Sequence, residues 1–346
     1  MNVNSEVRNT LDGIINKALS IVFPADDAYA FLVDTINYAQ TLQRLQPEFK
    51  GTPSGNLEAL TIASRQIREA DDTDGDTTTT TDGVSKRQIS YSVKKVFWNT
   101  WLKNDDVVYN AVRRANMSTG IGATQIDITS TNDLEALIVQ MLQKQFAMDL
   151  QDLIFNGDVD SISAGGDPDA DFLKILDGFV QKSLSSSYIT DLGTASITIA
   201  DMVAHVQLLP EKYKNNFGDS ITWFMKQSTH DKLLADLQSR QTGLGDAIIL
   251  DGRIQRIAGY TVEIVAGLSG PYVNPADYTE GNRGWVGLAP WSNLAPVFTP
   301  QGTKYRREAT GATAAKRDST YHHITSYLDA VIKELDGIAI ILGDNI

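Results

Sequence analysis

Apolar side chains recur at helical spacing along Asn132–Gly157, the stretch NDLEALIVQMLQKQFAMDLQDLIFNG. Leu134, Leu137, Ile138, Met141 and Leu142 begin the stripe, and Phe146, Leu150, Leu153 and Ile154 continue it. The pattern predicts a helix of about 23 residues, roughly 35 Å long at 1.5 Å per residue. The usual globular helix has about 11–12 residues. Asn132 is placed to cap the first turn, with Glu135 as its capping-box partner. Asn156-Gly157 predicts a left-handed stop. So long a helix needs an extensive surface to lie against.

The chain before it predicts two helices and a hairpin. Val7, Leu11, Ile14, Ile15 and Leu19 mark an amphipathic helix over Ser5–Leu19. Phe31, Leu32, Ile36, Leu42 and Leu45 mark a second over Asp27–Leu45, ended by the Gly/Pro-rich FKGTPSG. Leu57–Arg68 reads as extended. In Arg87–Trp98, Ile89, Tyr91 and Val93 alternate with polar neighbours, the period of a strand with one buried face. Between these arms lies the turn-rich DDTDGDTTTTTDG, so the two predict a long β-hairpin with a polar, projecting tip. Phe97-Trp98 and Trp101 then precede NDDVVYNAVRRA, read as a short helix.

After the long helix comes the Gly/Asp loop DVDSISAGGDPDADF. From Thr198 the texture alternates. Thr198 and Asp201 form a second capping box, opening a helix with Met202, Val206 and Leu209 that Pro210 ends or kinks. Ile221–Met225 is an apolar strand and Ser228–Leu237 a helix. Ile254–Val265 holds a strand after a Gly turn, and Gly284–Leu288 is another strand. This predicts a compact α/β or α+β unit of about 100 residues. Tyr321–Leu328 and Ala330–Leu342 read as strands, or as one strand with a bend.

Composition narrows the class. The chain of 346 residues is 42% hydrophobic and has no cysteine, which removes disulfides, thiolate catalysis and Cys-based zinc sites together. No apolar run approaches the roughly 18–20 residues of a membrane span. The N-terminus lacks the basic-then-apolar order of a signal peptide. The net charge of −13 is concentrated: Glu69–Asp82 and Asp152–Asp171 each hold six acidic residues and no basic one, and without them 31 acidic face 30 basic residues. The basic pairs Lys94-Lys95, Arg113-Arg114, Arg306-Arg307 and Lys316-Arg317 form no long stripe, which speaks against tight sequence-specific DNA binding.

No catalytic constellation stands out, and no residue is assigned a catalytic, cofactor-binding or metal role. G-x-S-x-G, a Walker loop, G-x-G-x-x-G after a strand and H-E-x-x-H are all missing. Gly243-Leu244-Gly245 reads as a turn. Of His205, His230, His322 and His323, the adjacent His322 and His323 face opposite sides of a strand and share no site, and His230 is read as a surface residue. Asp71, Asp72, Asp74 and Asp76 carry oxygen ligands suited to calcium, but the surrounding threonines favour a solvated tip. Asp158 and Asp160 begin like an EF-hand loop, yet Ile162 occupies the third ligand position and no Glu closes the frame, so a surface loop is the default.

The order of these features resembles the HK97-like major capsid proteins of tailed bacteriophages over roughly Leu57–Leu342. LEALIVQMLQKQFAMDLQDLIFNGD is similar to the family's spine helix and its closing motif, and RQISYSVKKVFWNTWLKNDDVV to the strand returning from the extended loop. MVAHVQLLPEKYKNNFGDSITWFMKQSTHDKLLADL resembles the helix–strand–helix of the axial domain. RIAGYTVEIV and RGWVGLAPWSNL resemble the strands that follow it. The resemblance implies an α+β subunit: an N-terminal arm (1–56), an extended β-hairpin loop (57–98) lying over a neighbouring subunit, and a peripheral domain (99–188) with the spine helix at 132–157. An axial domain (189–299) and a return to the peripheral domain (300–346) complete it, with Tyr321–Leu342 joining the peripheral sheet.

The function so implied is structural, not enzymatic: an icosahedral shell of pentamers and hexamers around double-stranded DNA, without sequence-specific contact and without cofactor. Implied partners are further copies of the chain, a portal and a possible decoration protein; with only about 50 residues before the loop, scaffolding would be a separate protein or absent. No membrane is involved. The implied location is the virion, after assembly in the host bacterial cytoplasm. Some family members cross-link an extended-loop Lys to a neighbour's Asn; Asp71–Gly83 has no Lys, and Lys86 is the nearest. The competing readings are an encapsulin-like compartment of the same fold, a calcium-dependent surface or adhesion protein using the Asp-rich loops, and, more distantly, a hydrolase with paired carboxylates.

Overall fold

In the computed structural model, the residues described are 21–22, 35–36, 40–45, 47–62, 84–103, 131–160, 170–193, 195–216, 221–239, 254–265, 283–300, 303–308, 316–317 and 319–344. In chain order the elements are β1 (Ile21–Val22), α1 (Gln40–Arg44), β2 (Glu48–Phe49), β3 (Ser54–Ile62), β4 (Val84–Ser92), β5 (Lys94–Lys103), α2 (Thr131–Asn156), α3 (Ala170–Leu173) and α4 (Phe179–Ser183). Then come β6 (Ile189–Asp191), α5 (Ile199–Val206), α6 (Glu211–Asn216), β7 (Ile221–Met225), α7 (Gln227–Ser239), β8 (Arg256–Ile257), β9 (Tyr260–Ile264) and β10 (Arg283–Pro290). β11 (Leu294–Phe298), β12 (Lys304–Glu308), β13 (Ser319–Ile332) and β14 (Ala339–Asp344) end the described chain. The helix predicted over Ser5–Leu19, most of that over Asp27–Leu45, the one over NDDVVYNAVRRA and the turn at Gly243-Leu244-Gly245 lie outside the described residues.

Two mixed sheets and a separate ribbon carry the strands. The first sheet runs β1-β12-β13-β11-β2, with β5 also paired to β13. Strand β13 is its long member, antiparallel to β5 from Ser319↔Lys103 to Leu328↔Lys94, to β12 and to β11. The second sheet runs β6-β14-β10-β7-β9-β8. The ribbon is β3-β4, nine antiparallel pairs from Ser54↔Ser92 to Ile62↔Val84. The predicted hairpin is therefore present, but its return arm ends at Ser92. Trp98 and Trp101 belong to β5 and the first sheet instead.

The last apolar segment departs from expectation. Ser319–Ile332 stays in the first sheet, a 3-10 turn at Leu335–Gly337 follows, and β14 then pairs with β10 and β6 in the second sheet. Tyr321–Leu342 thus serves both sheets and does not complete one. The cause is legible in the core: Ala339 and Ile341 face one apolar cluster and Ile340 and Leu342 the other, which requires a strand covered on both faces.

The same division organises β7, whose five residues are all buried. Phe224 joins the core beneath α2, while Ile221, Trp223 and Met225 face α5 and α7 with Met202 and Leu233. Trp223 donates its indole N–H to the Ile257 carbonyl at 3.1 Å. Helix α5 begins as predicted. The Thr198 side chain accepts from the Asp201 N–H, and the Asp201 carboxylate accepts from the Thr198 N–H at 3.0 Å.

Helix α2, of 26 residues, is slightly longer than predicted and differs at both ends. It begins at Thr131, so Asn132 lies inside the first turn. Met141 is 51% exposed, outside the buried stripe of Leu142, Phe146, Leu150, Leu153 and Ile154. Gly157 has no left-handed backbone. It is required by closeness: a Cβ there would stand 2.2 Å from the Leu176 carbonyl oxygen and 2.6 Å from that of Leu153.

Candidate functional site

The end of α2 is the joint between the two sheets. The Phe155 ring lies 6.0 Å from Trp285 in parallel and meets Phe179 and Phe224 edge-on at 5.3 and 6.0 Å. Trp285 and Phe224 come from the second sheet, α4 brings Phe179, and the same core reaches Phe298, Ile324 and Leu328 of the first. Fully burying a side chain of this size stabilises by about 1.5–3 kcal/mol. Gly178 donates to the Gly157 carbonyl at 2.8 Å and Asp158 to that of Leu173 at 2.8 Å, which ties the helix end to the α3–α4 segment.

Polar groups inside this joint are matched. Asn156 donates to Asp152 at 2.7 Å and accepts from the Trp285 indole at 2.9 Å. Lys226, just past β7, is buried, and desolvation pushes its ammonium pKa down to about 8 against the opposing field of Asp152. Nothing in the periodicity of ITWFMK marks Lys226 as an interior residue; only the pairing of helix and sheet reveals it.

Asp158 is buried at the same joint. Its Oδ1 accepts from Asp160 N–H at 3.0 Å, while its Oδ2 has no partner among the described residues. Burial, then the charges of Asp177 and Asp160, outweigh that hydrogen bond and push its carboxyl up to about 6. Asp177 accepts from the Val159 N–H at 2.9 Å. Residues 161–169 of this loop, and the whole cluster Asp71, Asp72, Asp74 and Asp76, lie outside the described residues. Among the described residues no group of three His, Asp or Glu side chains could hold a metal ion, and no helix is long and apolar enough to cross a membrane. The side chain of Lys86 also lies outside; its backbone pairs with Leu60.

The hairpin base has a core of its own. Leu57, Tyr91 and Val93 pack on Val297 and Val331 of the first sheet, with Ile89 and Tyr327 beside them. Asp329 fastens it: Oδ2 accepts from the Ser92 N–H at 2.9 Å and Oδ1 from Lys182 at 2.7 Å. Lys182 also donates to the Ala330 carbonyl. Neither Asp329 nor Lys182 has a sequence signal, since their meeting depends on α4 crossing β13.

The histidines play structural parts. His205 is buried, bonded through Nδ1 to Thr190 Oγ1 at 3.0 Å, and desolvation lowers its pKa to about 4. His230 corrects the surface reading: it is 2% exposed, and its Nε2 accepts from the Ile254 N–H at 3.2 Å. The helix α7 starts early enough to turn it inward. His322 points into the core against Tyr305 at 2.7 Å, and His323 to the other face, stacked on Phe97, as alternation requires.

No protein-family model and no curated protein matches the sequence. Solved structures do match. A chain of the satellite phage P4 procapsid that includes the size determination protein superposes with a TM-score of 0.62 at 13% identity, over 99% of this chain and 97% of that one. A chain of the Mycobacterium phage Ogopogo structure superposes at 0.51, also at 13% identity, over 88% and 92%. The chain has the HK97-like capsid fold.

Proposed function

We propose that this protein is a structural major capsid protein whose copies assemble into an icosahedral shell around double-stranded DNA. The observation that carries the reading is the end-to-end superposition on a procapsid subunit. Physics supports it. The β3–β4 ribbon pairs with no other described strand, and an isolated two-stranded hairpin is marginal in water. A closed symmetric assembly buries such repeated elements.

In this reading the first sheet with α2 forms the peripheral domain. The second sheet forms the axial domain at the five-fold and quasi-six-fold axes; it takes β14 from the terminal stretch and gives up β11. Partners are further copies in pentamers and hexamers, a portal, a separate scaffolding protein and a decoration protein; the size determination protein in the P4 procapsid is a precedent for a separate assembly factor. The virion is its location, after assembly in the host cytoplasm, and shell building needs no catalysis. Negative-stain microscopy of the expressed chain, alone and with a scaffold, tests this: closed shells or capsomers support it, and a monomer under every assembly condition removes it. DNA inside native particles separates a virus from an encapsulin-like compartment.

A further inference from the structure

Lys226 stands one place beyond the last pair of β7 with β10. Continuing the register Met225↔Val286 by one step sets it opposite Trp285. Residues so opposed have Cβ atoms about 4.5–5.5 Å apart. Alternation gives Lys226 the same face as Phe224, and Phe224 meets Phe155 of α2 edge-on at 6.0 Å. The lysine is thus directed at the end of the long helix, where it is 5% exposed. Burying an ammonium is costly unless a partner offsets it.

The groups around it offer more than an offset. The charge of Asp152, itself 3% exposed, acts on the Lys226 ammonium, and the same carboxylate accepts from Asn156 Nδ2 at 2.7 Å. One carboxylate therefore serves an amine and an amide nitrogen. Asn156 is 1% exposed, and its Oδ1 accepts from the Trp285 indole N–H at 2.9 Å. That donor polarises the amide carbonyl and is already in place for an oxygen that gains charge. Phe155, Phe224 and Trp285 belong to one apolar cluster and keep the site dry. Desolvation lowers the Lys226 pKa to about 8, so the amine gives up its proton more readily than an exposed lysine does.

Nucleophile, proton carrier, polarised carbonyl and oxyanion donor are thus gathered in one core. We propose that Lys226 Nζ and Asn156 Cγ join in an isopeptide bond, with Asp152 carrying the proton and Trp285 donating to the developing oxyanion. Lys226 passes a proton to Asp152, and its neutral Nζ attacks Cγ. Asp152 protonates Nδ2 and takes a proton from Nζ, and the Cγ–Nδ2 bond breaks. Ammonia leaves with that last proton as ammonium, so the carboxylate is regenerated and nothing is oxidised or reduced. Amine and amide held in one core react as one molecule, for which effective molarities reach about 10⁵–10⁸ M. Both groups are interior to one chain, so the bond closes within the subunit and ties α2 to the second sheet. The proposal does not rest on the shell reading.

The intact mass of the purified full chain, measured under denaturing conditions, tests it. Wild type should be lighter than its sequence by the ammonia lost, about 17 Da. A tryptic digest should hold one branched peptide that joins the segment with Lys226 to the segment with Asn156, uncut after Lys226. Lys226→Met and Asp152→Asn should each return the full mass. The branched peptide is read in wild type alone, so a variant that fails to fold leaves the test intact. Wild type at its full sequence mass, with no branched peptide, overturns the proposal. Asn156 closing on the Gly157 N–H as a succinimide would lose the same ammonia. A deficit that persists in Lys226→Met, or that hydroxylamine removes, identifies that ring and overturns the proposal as well.

Discussion

Trp285 donates its indole N–H to Asn156 at 2.9 Å, so the last residue of the long helix is bonded to the strand β10 of the second sheet. Replacing Asn156 by Leu leaves that N–H without its acceptor and removes one donor to Asp152. A buried unsatisfied group costs about 1–3 kcal/mol. Urea denaturation of the chain should show a lower midpoint.

Backbone closeness at Gly157 predicts a sharper loss. A Cβ there meets two carbonyl oxygens, and at Gly178 one would stand 2.6 Å from the Phe155 carbonyl oxygen. Neither neighbour is a flexible side chain. Gly157→Ala should lower the melting temperature by several degrees, as a destabilisation of about 2 kcal/mol does in a chain this long. Ala258, in contrast, holds φ 52 in the β8–β9 turn. Ala258→Asn should stabilise, since Asn tolerates that region better, by up to about 1 kcal/mol.

Two buried groups pull stability in opposite directions with pH. His205 has its pKa lowered from 6.5 to about 4, so the unfolded chain binds more protons between those values. Its neutral form stabilises fully above pH 6.5, and that contribution is lost as pH falls toward 4. Asp158 has its pKa raised from 3.8 to about 6, so the folded chain binds more protons between them, and stability falls as pH rises through that window. Asp158→Asn should therefore raise the melting temperature at pH 7 while leaving it nearly unchanged at pH 4. An equal gain at both values would show that the carboxylate charge is not the cause.

Asp329 predicts local rather than global loosening. Asp329→Ala removes the acceptor for Ser92 and the partner of Lys182. Hydrogen exchange should speed at the amides of β4 near Tyr91–Ser92, while amides of β7 in the second core keep their protection. Asp329→Asn, which keeps an acceptor for Ser92, should show a smaller effect.

Periodicity revealed the elements that satisfy their own rules. Helix α2, the Thr198–Asp201 cap, the apolar strand Ile221–Met225 and the alternation Ile89–Tyr91–Val93 each need only local residues, and each is found. What was hidden depends on partners far along the chain. Met141 fits the stripe by spacing, yet among the described residues no element covers it. His230 looks like a helix-start surface residue until Ile254 is brought to it. The crossing of β14 to the second sheet could not be read from Ala339–Asp344, because a strand buried on both faces has no alternation to point its direction. The ring contacts of Trp101 with Tyr321 and of Phe97 with His323 join β5 to β13, more than two hundred residues apart.

The position of β14 has a consequence for timing. It lies between β6 and β10, in the interior of the second sheet, yet it follows every other strand of that sheet along the chain. Until residues 339–344 emerge, β6 has no neighbour in that sheet and β10 has an open edge beside Trp285. A nascent chain can therefore fold the surroundings of β13 first but cannot seal the joint at Phe155 until its synthesis has passed this strand.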